Sequence, residues 1–248
     1  MSSRRLSLFH LAAVLLALLL FAPGCGGDDE ADDTSSSPPT TKSQTGEKNG
    51  AGVAEVRYLA IGDSLSQGIG ADNPDTQSFP ARLAARWRKA GCVVELNNAG
   101  IAGYTAGLMI IDEVPHIDTF KPTIITFQSG ANDIANGESE NAYRKNVRTV
   151  LDAAVESGAR VYVLLQNEWF RAPDGPSYGG TRKLRDAYDA IMIAEAKSRD
   201  VEVLDLRALY KQQADDDEWV DDGIHPTGKA YDAWAERLAS MIPRPCEG

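Results

Sequence analysis

From Val53 onward, short apolar runs rich in β-branched residues alternate with segments whose apolar positions recur every three or four residues. Val56–Ile61, Val93–Leu96, Thr123–Gln128, Val161–Leu165 and Val201–Leu204 read as five strands. They are continuously apolar rather than alternating, which marks strands covered on both faces. Between the first two strands Phe79, Leu83, Trp87 and Ala90 lie at helical spacing, with Gly91 as a stop. Thr105–Thr119 is a helical stretch interrupted by Pro115, and Glu138–Ser157 carries Tyr143, Val147, Val150, Leu151 and Ala154 on one side. A further helix spans about Arg182–Ser198, and a last one opens at Thr227, an N-cap residue type, burying Ala230, Trp234 and Leu238. This β-α alternation predicts an α/β domain with a five-stranded parallel sheet between two helical layers. About 200 residues is ample for one such core.

The pattern before Val53 is different. Arg4 and Arg5 precede an apolar stretch from Leu11 to Ala22, followed by Pro23, Gly24 and Cys25. A basic start and a short apolar run ending at small residues read as a secretory signal. The run is shorter than the roughly 20 residues that span a bilayer as a helix. Phe21-Ala22-Pro23-Gly24-Cys25 resembles a bacterial lipobox, with Ala22 where Leu is usual, and the resemblance implies a lipidated Cys25. A plain secreted protein with an untouched Cys25 and a single uncleaved anchor helix are the alternatives. Residues 26–52 hold almost nothing apolar and cannot bury enough surface to offset their ordering entropy. The expected organisation is a signal peptide over 1–24, a lipid-anchored disordered acidic linker over 25–52, and one domain over 53–248.

Composition narrows the partners. The formal charge of the whole chain is −11, and the domain from Val53 onward, with 21 basic and 30 acidic residues, still carries −9. Such a surface repels phosphate backbones, so nucleic acid is not an expected partner. A single long apolar run excludes a multi-span membrane protein. Export places the cysteines in an oxidising compartment, where Cys92 and Cys246 form an even pair once Cys25 carries lipid. Cys92 follows the first helix and Cys246 the last, and in a doubly wound fold these helices commonly share a face of the sheet. A Cys92–Cys246 disulfide is therefore expected.

Ligand chemistry in such folds gathers at the carboxyl ends of the strands. Four segments lie there: Gly62-Asp63-Ser64-Leu65, Asn98-Ala99-Gly100-Ile101-Ala102-Gly103, Gly130-Ala131-Asn132-Asp133 and Asp222-Gly223-Ile224-His225-Pro226. Past residue 24 the chain has two histidines. His116 follows Pro115 away from any strand end and reads as a packed or surface residue. His225 stands three residues after Asp222, close enough for the carboxylate to accept from Nδ1–H and leave Nε2 as a base. Ser64 is the hydroxyl such a base would activate. Backbone N–H groups of Ser64 and Gly103, with the Asn132 amide, supply three donors for an oxyanion.

Taken together, these four blocks resemble the SGNH (GDSL) hydrolase superfamily, in order and across essentially the whole domain. Ser64 matches the serine of Gly-Asp-Ser-Leu, Gly103 the glycine of the second block, Asn132 that of Gly-x-Asn-Asp, and Asp222 with His225 the Asp-x-x-His pair. The resemblance implies a three-layer, flavodoxin-like α/β/α fold. It assigns Ser64 as nucleophile, Ser64, Gly103 and Asn132 as oxyanion donors, and Asp222 and His225 as the acid–base pair. Two departures stand out: Ser129 before Gly130, and Gln166-Asn167 in place of an apolar-proline end to the fourth strand. Ser66 stands where the second Gly of a Gly-x-Ser-x-Gly elbow would be, so the chain is not an ordinary α/β-hydrolase.

Other features have plainer readings. Asp63 and Asp133 read as structural support that hydrogen-bonds loop backbone. The run Asp215–Glu218 with Asp221 reads as a solvated acidic loop, since it lacks a glycine-punctuated calcium pattern. There is no zinc spacing, phosphate loop or dinucleotide fingerprint, and neither metal nor cofactor is expected. Glu168-Trp169-Phe170 and the Pro- and Gly-rich residues to Gly180 form either an acyl-pocket wall or lid, or an exposed connection with buried aromatics. The expected protein is a monomeric serine esterase of small or lipid-like acyl esters, by resemblance to the arylesterase, thioesterase and lysophospholipase branch. It would be lipid-anchored on the periplasmic or outer side of the bacterial envelope. An acetyl esterase or O-acetyltransferase on envelope polysaccharide is the alternative within catalysis; a non-catalytic ligand-binding lipoprotein is the alternative outside it.

Overall fold

Five parallel strands in the order β2-β1-β3-β4-β5 form the centre of the molecule. The computed structural model describes residues 55–247; the expected signal peptide, Cys25 and the linker lie outside the described residues. The strands are β1 (Glu55–Ile61), β2 (Val93–Asn98), β3 (Ile124–Gln128), β4 (Arg160–Leu164) and β5 (Glu202–Leu204). The helices are α1 (Ser64–Gln67), α2 (Pro74–Gln77), α3 (Phe79–Lys89), α4 (Ala106–Asp112), α5 (Pro115–Phe120), α6 (Ala131–Ala135), α7 (Glu140–Glu156), α8 (Arg182–Lys197), α9 (Arg207–Asp215) and α10 (Gly228–Met241). This is the three-layer α/β/α arrangement, and none of the helices among the described residues is long and apolar enough to cross a membrane.

Side chains of one strand point alternately to the two layers. Leu59 and Ile61 of β1 join Ile125, Phe127, Val161 and Val163 in a core closed by α4, α7 and α8 through Met109, Tyr143, Val147, Leu151 and Tyr188. Tyr58 and Ala60 face the other way, with Tyr162 and Leu164, onto Leu83 and Trp87 of α3, Tyr210 of α9 and Trp234 and Leu238 of α10. Helices α3 and α10 thus share a face of the sheet. Cys92 and Cys246, which follow them, are bonded as a disulfide with Cα atoms 5.5 Å apart.

Several expected boundaries move. The stretch from Thr105 divides into α4, capped by the Thr105 hydroxyl, and α5, which Pro115 opens as a first-turn residue that needs no N–H. Ser64 is not in a bare loop but opens the one-turn helix α1, and Asn132 lies in another short helix, α6. Helix α9 is absent from the sequence expectation.

The fold aims the site. Strand β1 has β2 on one side and β3 on the other, so the chain reverses direction along the sheet at β1. That is the switch point, where the loops leaving β1 and β3 part and open a crevice.

Candidate active site

Ser64 begins immediately beyond β1. Asp63 caps the turn, with Oδ1 accepting the Leu65 N–H at 3.0 Å, and its Oδ2 accepts from Gln128 Nε2, also at 3.0 Å. The Ser64 turn is therefore tied to the end of β3. Asp63 is fully enclosed; burial lifts its pKa to about 6 against the opposing pull of these donors and of His225.

The second loop contributes Gly103, whose φ of +82° lies in the left-handed region that a side chain would strain. From the third loop, Asn132 Nδ2 donates to the Tyr104 carbonyl at 3.0 Å, which orients the amide and leaves its second N–H unused. Asp133, next to it, accepts the Ala106 N–H at 3.1 Å and 3.2 Å on its two oxygens, binding α6 to the start of α4. Burial raises the Asp133 pKa to about 7. Both aspartates are supports, as their sequence positions suggested, although Asp133 reaches another loop rather than its own.

The loop before α10 carries Asp222 and His225. Asp222 Oδ2 stands 2.6 Å from His225 Nδ1, while Oδ1 accepts the Ile224 and His225 backbone N–H groups, both at 3.0 Å. Partial burial alone would raise the Asp222 pKa, but these N–H groups and the imidazole hold it below the ordinary carboxylate range. Nδ1 is thereby committed to the carboxylate and Nε2 is left for other work. The loop is brought over the Ser64 turn by close backbone packing: a Cβ at Gly70 would stand 2.3 Å from the Pro226 carbonyl oxygen. Tyr231 of α10 also donates to the Ile69 carbonyl at 2.7 Å.

Ser64, Gly103, Asn132 and His225 line one cavity of about 170 Å³, together with Trp169 and Tyr178. Ser64 is nearly buried and does not hydrogen bond to His225 in this conformation; such contacts often tighten only around substrate. Asp222 stands behind His225, outside the lining. His116 lies elsewhere, its Nδ1 2.9 Å from Asn97 Nδ2.

The segment after β4 is built as a wall. Trp169 is buried, and its indole N–H donates to Gln166 Oε1 at 3.0 Å. Glu168, the residue before it, is also buried, paired with Arg185 at 2.7 Å and Arg182 at 3.3 Å. The departures at Gln166 and Ser129 both have partners: Gln166 contacts Asp189, and the Ser129 hydroxyl lies 3.3 Å from the Tyr143 hydroxyl. Asp215 pairs with Arg171 and Lys211, and among the described residues no cluster of three His, Cys, Asp or Glu side chains is arranged for a metal.

Two supporting residues escaped the sequence reading. Gln128 ends an apolar strand and gave no signal. Glu113 sits in the run Leu108-Met109-Ile110-Ile111-Asp112-Glu113-Val114, four residues after the buried Met109. That spacing puts its side chain on the inward helical face, which was the available clue.

Residues 60–233 match the model of the GDSL-like lipase/acylhydrolase family. The chain is 28% identical over 193 residues to an arylesterase of Vibrio mimicus, covering 77% of this chain and 90% of that one. It is 24% identical over 217 residues to an acetylxylan esterase of Xylanibacter ruminicola, covering 75% of this chain but 43% of the relative. The crystal structure of TesA superposes with a TM-score of 0.64 at 23% identity, covering 76% of this chain and 99% of TesA.

Proposed function

Because the chain belongs to the GDSL-like lipase/acylhydrolase family and is a carboxylic ester hydrolase, we propose that it cleaves small acyl esters through Ser64, His225 and Asp222. The observation that carries this reading is His225, which lines the same cavity as Ser64 and is joined at 2.6 Å through Nδ1 to Asp222 behind it. His225 Nε2 takes the Ser64 proton as Oγ attacks the acyl carbonyl, and Asp222 orients and stabilises the imidazolium that forms. The Ser64 and Gly103 N–H groups and the free N–H of Asn132 hold the negative charge that develops on the carbonyl oxygen. His225 then hands its proton to the leaving alkoxide. Water, activated by the same imidazole, releases the acid from the acyl-enzyme.

A cavity of about 170 Å³, with Trp169 in its lining, favours short acyl groups. The test is turnover of p-nitrophenyl acetate, butyrate and octanoate by the protein and its Ser64→Ala variant. Loss of turnover on the order of 10⁴-fold or more is the expected result; an unchanged rate would remove Ser64 from the nucleophile role. An acetyl ester on a polysaccharide is a second reading that the same cavity favours. Release of acetate from acetylated xylan, against transfer to a sugar hydroxyl, separates hydrolysis from acyl transfer.

We also place the enzyme in the bacterial envelope, tethered through a lipidated Cys25. The leader pattern and the Cys92–Cys246 pair, suited to an oxidising compartment, support this. Labelling with a fatty-acid analogue that disappears in Cys25→Ala is the expected outcome; labelling that persists would exclude it.

A further inference from the structure

Glu113 is fully buried at the junction of α4 and α5, directly behind the nucleophile turn. Its Oε2 accepts the Gly62 N–H at 2.7 Å, and Oε1 has no hydrogen-bond partner. The Gly62 carbonyl in turn accepts the Ile101 N–H at 3.1 Å, and that N–H lies near enough to the Glu113 carboxyl to favour its ionised form. The side chain therefore holds the first site loop at the residue whose carbonyl in turn holds the second. Gly62 is two residues before Ser64, and Ile101 is two residues before Gly103.

No Lys or Arg pairs with Glu113 among the described residues. An unpaired buried carboxylate is costly, and the low-cost state is the neutral acid. Burial, with the charges of Asp63 and Asp112, raises its pKa to about 9 against the Gly62 and Ile101 N–H groups, so it is neutral near pH 7. A neutral acceptor suits this place, since a carboxylate beneath the site would oppose an oxyanion.

We propose that Glu113 is a positioning residue for the oxyanion hole: by holding the Gly62 N–H beside the Gly62–Ile101 hydrogen bond, it fixes the separation of the Ser64 and Gly103 N–H groups. The inference rests on the assignment of those two donors under the proposed function. It extends that assignment to a residue that touches neither substrate nor nucleophile. The dull alternative is a staple that serves stability alone, and the two differ in what the substitution changes.

The test compares the whole protein with Glu113→Leu, Glu113→Gln and Ser64→Ala, using p-nitrophenyl acetate and inhibition by butaneboronic acid, which forms a tetrahedral adduct with a serine. Glu113→Leu removes the acceptor at similar volume. It should lower kcat about 100-fold, the scale of an ångström-sized misplacement, with KM within about twofold. Boronate affinity should fall in parallel. Glu113→Gln, which keeps an acceptor oxygen, should recover most of that loss. Unchanged kcat in the Leu variant, or a fall in kcat with boronate affinity intact, overturns the proposal, as does a Gln variant as slow as Leu.

Should Glu113→Leu fail to fold, the pH profile decides. Wild-type activity should decline as pH rises through about 9, and Glu113→Gln should lack that decline; a decline common to both overturns the proposal. The other titratable groups facing Glu113 are Asp63, Asp112 and Tyr104, and all three are retained in the variant. Turnover surviving in Ser64→Ala would overturn the nucleophile assignment instead, a result distinct from any Glu113 outcome.

Discussion

Trp169 and Gln166 are locked together, the indole N–H of one donating to the side-chain oxygen of the other at 3.0 Å. Gln166 is itself held by Asp189 Oδ1, through its backbone N–H at 3.2 Å and its side-chain amide at 3.3 Å. The wall of the cavity is thus braced from β4 and α8 rather than resting as a loose lid. Trp169→Ala should open it. The ratio of kcat/KM for octanoate over acetate esters should rise by about tenfold or more, because each extra methylene that gains a pocket is worth about that much. Gln166→Leu should shift the ratio in the same direction by less. An unchanged chain-length profile in Trp169→Ala would refute the wall.

Asp222 uses one oxygen on the ring and the other on the backbone, so an amide in its place acts on both. In Asp222→Asn the amide N–H faces Nδ1 and favours the tautomer with its proton on Nε2, where a base is needed. A kcat about 10⁴-fold lower is expected, with KM little changed and the fold intact by circular dichroism. Steady-state kinetics read it, and a loss of less than tenfold would leave Asp222 with no role in orienting His225.

Four buried carboxyls give the stability a definite pH slope. Burial raises Asp63 and Asp189 to about 6, Asp133 to about 7 and Glu113 to about 9, all above the roughly 4 of an unfolded chain. Each binds its proton more tightly folded than unfolded. Their contribution is complete below about pH 4 and is lost progressively from there up to each folded value, about 6 for Asp63 and Asp189, 7 for Asp133 and 9 for Glu113. Asp222, Asp205, Glu195 and Asp215 are shifted downward and act in the opposite sense, but at lower pH. The urea midpoint should therefore be higher at pH 5.5 than at pH 9. A midpoint that rises with pH would contradict it.

The disulfide closes a separation of 154 residues. In the chain-entropy account, a loop of that length contributes about 5 kcal/mol by restricting the unfolded state. Reduction, or Cys92→Ser with Cys246→Ser, should lower the denaturation midpoint sharply. Turnover at low temperature should persist, since both cysteines lie beyond α3 and α10, away from the cavity. Identical midpoints with and without reductant would show that the bond adds nothing.

The sheet, both helical layers and the four site segments were legible from periodicity and strand ends, because continuous apolar strands and 3.6-residue stripes report burial directly. What was not legible depends on contacts between segments. Glu113 is an ordinary acid until its partner, the Gly62 N–H, is known. Helices α1, α2 and α6, of four or five residues, are too short to show a period, and tertiary contacts such as that between Asp63 and Gln128 hold them. Helix α9 buries only Tyr210 and Gln213, so its polar sequence hid it. Trp169 illustrates the same limit: its residue type suggested a pocket or a core, and only the Gln166 contact distinguishes a fixed wall from a free connection.

The hydrogen bond from Tyr231 to Ile69 joins positions 162 residues apart, and the loop it fastens carries the imidazole. Closing so long a span is an entropically late event, slow by comparison with local helix formation. During synthesis Ser64 therefore emerges, and its turn can form, long before His225, its proposed base, exists. Under the proposed mechanism the molecule stays chemically silent until its last helix docks. With Ser64 and His225 in those roles, enzymatic competence is a report on completed folding, and premature termination anywhere before residue 222 is expected to yield an inert fragment rather than an unregulated hydrolase.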